Sequence, residues 1–104
     1  MEFQLLFHEK EKYLMTSQKE IVIEMKLFLA LSPFGKEFPE GYKFNWIAFN
    51  KHNPKERVLF DNHEGKGPHY HIDNQSEIFF TWISLTQTTT LFYQKIIERF
   101  GDFV

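Results

Sequence analysis

The stretch KEIVIEMKLFLAL, residues 19–31, decides the fold. Ile21, Ile23, Met25, Leu27, Leu29 and Leu31 recur at every second position. Successive side chains of a strand point to opposite faces, so these six share one side of an extended chain. Glu20, Glu24 and Lys26 fall on the other side, whereas a helix would scatter the apolar residues around its circumference. The segment therefore reads as a strand with one buried face.

Working outward, the residues before it, around Phe3 to Phe7, predict another strand. The residues after it, SPFGKEFPEG, hold two prolines and two glycines and read as a loop. YKFNWIAFN resumes the alternation, with Tyr42, Phe44 and Trp46 on one side. KHNPKE reads as a turn and RVLFD as a strand that pairs back as a hairpin. SEIFFTW suggests a further short strand.

The last third changes period. Ser84 to Gln87 has the spacing of a capping box, with Ser84 as N-cap. Leu85, Phe92, Ile96 and Phe100 then recur at helical intervals, and Gly101 is placed to end the helix. Thr88 to Thr90 work against it, because β-branching disfavours helix. The expectation is an α+β fold: an antiparallel β-sheet of about four to six strands packed against one C-terminal α-helix near Ser84 to Phe100.

The chain has 104 residues, which predicts a single domain over residues 1–104. Its 13 phenylalanines imply a core of few, bulky side chains. Some of Phe34, Phe38, Phe79, Phe80 and Trp82 are then candidates for an exposed partner surface. A formal net charge of −2 means that any attraction to phosphate has to be local. With no cysteine, disulfides and thiolate metal sites are excluded. The N-terminal residues resemble neither a signal peptide nor a membrane span, so a cytoplasmic protein with no membrane partner is expected.

Chemistry concentrates in FDNHEGKGPHYH, residues 60–71. Asp61 and Asn62 are turn formers. Gly65, Lys66 and Gly67 make a flexible run whose backbone amides are able to form an anion nest. In an extended chain His69 and His71 share one face, with Tyr70 and Ile72 on the other. Two residues of strand span about 6.6 Å, so two imidazoles can flank one tetrahedral phosphorus. The same spacing suits a metal ion, with Asp61 or His63 as third ligand. A polar turn with no chemistry is the plainer reading. His8 and His52 read as surface residues.

The pattern Asp61-Asn62, two positions, Gly65-Lys66-Gly67, one position, His69-x-His71 resembles the TumE family of prokaryotic toxin-antitoxin proteins. Seven positions match over eleven residues. The likeness runs over roughly residues 42 to 100 and includes the amphipathic helix. Where the family often has basic residues, this chain has Glu64 and Tyr70.

The resemblance implies a toxin with a helix-turn-helix antitoxin as partner. Together with the residues, it leads to an expected metal-independent endoribonuclease that uses no cofactor. RNA supplies its own nucleophile, so cleavage needs a base, an acid and a cation. The expected catalytic residues are His69 and His71 as the acid–base pair, Lys66 on the phosphate and Asp61 as orienter. Gly65, Gly67, Asn62, Tyr70 and His63 are expected to contact RNA, Tyr70 by stacking on a base. The alternatives are a non-catalytic binding module and a metal-dependent hydrolase built on the His-x-His pair. A homodimer is a further expectation.

Overall fold

A computed structural model describes residues 3–31, 38–63 and 65–104. Six strands form one antiparallel meander: β1 (Phe3–Leu14), β2 (Glu20–Ala30), β3 (Tyr42–Asn50), β4 (Asn53–His63), β5 (Lys66–Ile72) and β6 (Ile78–Phe79), in that spatial order. One helix, α1 (Leu85–Phe100), packs on the sheet. This is the α+β arrangement that the two periodicities predict.

The β2 alternation works as expected. Ile21, Ile23, Met25 and Leu27 are buried, while Val22, Glu24 and Lys26 are only partly so. Register carries the buried face into β3 and β4: Met25 pairs with Trp46 and Trp46 with Phe60. On α1, Thr88, Phe92, Ile96 and Phe100 are buried. Phe92 lies 5.6 Å from Trp46 and 5.2 Å from Phe60, ring centre to ring centre. Burying such rings between two layers supplies most of the stabilisation, about 1.5–3 kcal/mol for each large apolar side chain.

The helix ends follow the sequence. Ser84 Oγ accepts from Gln87 N at 3.1 Å, and Gly101, at φ 85°, donates its N–H to Ile97 O. The threonine run is accommodated because Thr88, Thr89 and Thr90 each donate a hydroxyl to the carbonyl four residues back.

Several boundaries differ from expectation. β1 extends to Leu14, well past Phe7, because it pairs with β2 along almost its whole length. The β3–β4 turn is shorter than KHNPKE. Asn50 already pairs with Asn53, and Asn50 Oδ1 accepts from His52 N, so only Lys51 and His52 form the turn. Of SEIFFTW, only Ile78 and Phe79 are strand, since two pairs with β5 are all that form. Residues 32–37 of the expected loop, with Phe34, lie outside the described residues. Of the remaining aromatic residues considered for a partner surface, Phe38 is buried, Phe80 and Trp82 pack against the core, and Phe79 is 55% exposed.

Candidate functional site

With the helix on one face, the other face of the sheet carries the polar chemistry. Strand pairing aligns His8, Lys26, Asn45, Asp61, His69 and Phe79 in one continuous cross-strand row, one residue from each of the six strands. His71 lies in the next row, opposite Leu59. His69 and His71 therefore share a face, as period-two alternation requires, with their ring centres 5.4 Å apart. The His63 ring lies 5.7 Å from His69 on its other side. Three imidazoles thus stand side by side, the middle one at the sheet surface and the outer two flanking it.

Backbone contacts set the tautomers. His69 Nδ1 is 2.9 Å from Gly67 O, and His71 Nδ1 is 3.0 Å from Gln75 O. A carbonyl oxygen only accepts, so both Nδ1 atoms carry the proton and both Nε2 atoms carry the lone pair in the neutral ring. The Gln75 carbonyl is held in place by the turn after β5. Asp73 there has φ 55°, its Oδ1 accepts from Arg57 N at 2.9 Å, and Gln75 N donates to Ile72 O at 3.1 Å. His63 differs: its Nε2 lies 3.0 Å from Asp61 Oδ2, so that nitrogen carries its proton.

Exposure separates the three rings. His63 and His71 have side chains 58% and 26% exposed. His69 is 1% exposed, covered by Phe79 at 5.4 Å and by the two flanking imidazoles.

Two residues that the sequence does not single out complete the site. Lys43 Nζ reaches diagonally from β3 to Asp61 Oδ1 at 2.8 Å, and also donates to Asn62 O. Glu77 pairs with Lys66 Nζ at 3.1 and 3.2 Å, and its Oε2 is 4.0 Å from His71 Nε2. The Lys66 ammonium is the main reason that the Glu77 carboxyl titrates below the usual glutamate range. Lys43 had a signal: it alternates with Phe44 and Trp46, which places it on the polar face. Glu77 had none, because only the turn after β5 brings it back.

The other expected site residues are distributed differently. Lys66 starts β5, and its ammonium is paired with Glu77, which also lies beside His71. Gly65, at φ 76°, makes the tight turn that lets His63 pair with Lys66. Gly67 contributes its carbonyl to His69. Asn62 is fully buried at a bulge between Asp61 and His63. Its Oδ1 accepts from Phe44 N at 2.9 Å and its Nδ2 donates to Tyr42 O at 2.8 Å and to Glu40, so the side chain continues the ladder where backbone pairing stops. Tyr70 lies on the helix side, its ring stacked on Phe60 at 5.1 Å and 13°, with Lys95 Nζ 5.4 Å above it. Among the described residues, the exposed aromatic on the histidine side is Phe79.

Comparison of the chain with protein-family models, curated proteins and solved structures finds no match. Among the described residues no helix is long and apolar enough to cross a membrane.

Proposed function

We propose that the protein cleaves RNA by metal-independent transesterification on the histidine face of β4, β5 and β6. The observation that carries this reading is the pair His69 and His71: adjacent rings on one face, each with Nδ1–H anchored on a carbonyl and Nε2 free for a proton. Imidazole is the side chain suited to exchange protons near neutral pH.

In this reading one imidazole removes the proton of a ribose 2′-hydroxyl. The 2′-oxygen attacks phosphorus, the bond to the 5′-oxygen breaks, and the second imidazole, protonated, gives that oxygen its proton. A 2′,3′-cyclic phosphate results. His71, the more exposed of the two, takes the first role. His69 takes the second once the Phe79 ring turns aside, and Phe79 sits on a strand of only two residues. Lys66 and Lys43 supply positive charge beside the phosphate. Phe79 replaces Tyr70 as the ring on which a base stacks. The resemblance to the TumE family adds the biological role, a cytoplasmic toxin restrained by a helix-turn-helix antitoxin.

The test is cleavage of a fluorescent RNA in excess EDTA. Wild type cleaves, and His71→Ala lowers the rate by roughly 10²–10⁴-fold while RNA affinity changes little. A wild-type protein that binds RNA but never cleaves it rejects the reading. The near-complete burial of His69 favours a second reading, a binding module without chemistry. In that case growth arrest on expression survives His71→Ala.

A further inference from the structure

We infer that His69, His71 and Glu77 form a binding site for one divalent transition-metal ion of the zinc class. One ligand atom from each lies within 4.8 Å of the other two. In a tetrahedral zinc site ligand atoms stand roughly 3.3 Å apart, so closure asks for side-chain shifts of about 1 Å or a little more. Both histidines already have the arrangement that metal-binding imidazoles use. The Nδ1–H is donated to a backbone carbonyl, Gly67 for His69 and Gln75 for His71, which fixes the ring and leaves the Nε2 lone pair for the ion. Glu77 adds a carboxylate oxygen, with its Oε2 4.0 Å from His71 Nε2. Two nitrogens and one oxygen suit zinc, nickel, copper or ferrous iron. Magnesium and calcium prefer all-oxygen sites.

A rival cluster shares His69: Asp61, His63 and His69 also bring ligand atoms within 4.8 Å. It is the poorer site. Asp61 Oδ1 is held by the Lys43 ammonium and Oδ2 by His63 Nε2, so both oxygens are engaged and that His63 nitrogen carries a proton. At the favoured site the competitor among the described residues is Lys66, which is half-exposed and free to swing into water when an ion replaces it at Glu77. The binding claim does not rest on the cleavage reading, and the two exclude each other on any one molecule. Were the ion present during catalysis, it would occupy the same two lone pairs that the proposed acid–base pair needs.

Calorimetric titration of untagged protein with zinc chloride, and with magnesium chloride as control, tests the site. The expected result is one zinc per chain and no magnesium binding. His71→Ala and Glu77→Gln each weaken zinc by at least about tenfold, the lower end of what loss of even a supporting contact costs. His63→Ala leaves zinc affinity unchanged, and Lys66→Ala tightens it by freeing Glu77. All four altered side chains are at least partly exposed, and circular dichroism checks that each variant is folded. The inference is overturned if wild type binds zinc no better than magnesium, if Glu77→Gln or His71→Ala binds like wild type, if His63→Ala abolishes binding, or if Lys66→Ala fails to strengthen it.

Discussion

Lys43 Nζ and Asp61 Oδ1 meet at 2.8 Å across β3 and β4, with side chains only 23% and 7% exposed. A carboxylate this far from water needs its partner, and removing one member of a fully buried pair costs roughly 3–5 kcal/mol. Here Lys43 keeps some solvent and His63 also contacts Asp61, so Lys43→Met should cost less, about 2 kcal/mol. Adding Asp61→Asn should restore part of it. Urea denaturation of the two single variants and the double variant measures both. Additive losses would show that the two side chains are not coupled.

Asn62 should behave as a structural residue rather than as a contact for RNA. Its amide serves Phe44 N and Tyr42 O, and a buried group left without a partner costs about 1–3 kcal/mol. Asn62→Ala should therefore lower stability by roughly 2–4 kcal/mol. A folded Asn62→Ala protein of wild-type stability with weakened RNA binding would reverse the assignment.

Glu56 gives a signed pH dependence. Its carboxyl is held below the ordinary glutamate range by hydrogen bonds, first from Asn50 and then from Lys19. A carboxyl with a lowered folded value binds its proton more weakly when folded. The stability it confers is therefore present above the ordinary glutamate range and is lost as pH falls through the lowered value. Glu56→Gln should flatten that part of the stability–pH curve, measured by denaturation at a series of acidic pH values. An unchanged curve would remove Glu56 from the account.

β1 is an edge strand guarded by charge. Glu9 and Glu11 pair with Met25 and Ile23 on the helix side, while His8, Lys10 and Lys12 lie on the other side. In antiparallel pairing of β1 with a copy of itself, each face meets its own kind, so acid faces acid and base faces base. Such edges resist self-association. Replacing Glu9 and Glu11 by Thr and Lys10 and Lys12 by Val should produce dimers or larger species in light scattering. A variant with the wild-type mass would mean that charge is not what keeps the edge unpaired.

The sequence by itself determined the kinds of element and the facing of their residues. Alternation in β2 and β3 and the helical spacing of Phe92, Ile96 and Phe100 are local patterns, and local geometry converts them directly into buried faces. The shared face of His69 and His71 was legible for the same reason. What surrounds those histidines depended on tertiary structure. Register across the β3–β4 hairpin brought Lys43 to Asp61, and one extra residue at the Asp61–His63 bulge sent Asn62 into the ladder. The turn at Asp73 returned Glu77 to His71, and β6 laid Phe79 over His69. Each is a long-range choice in which a shift of one residue moves a side chain to the opposite face. Periodicity along the chain carries no information about such a shift.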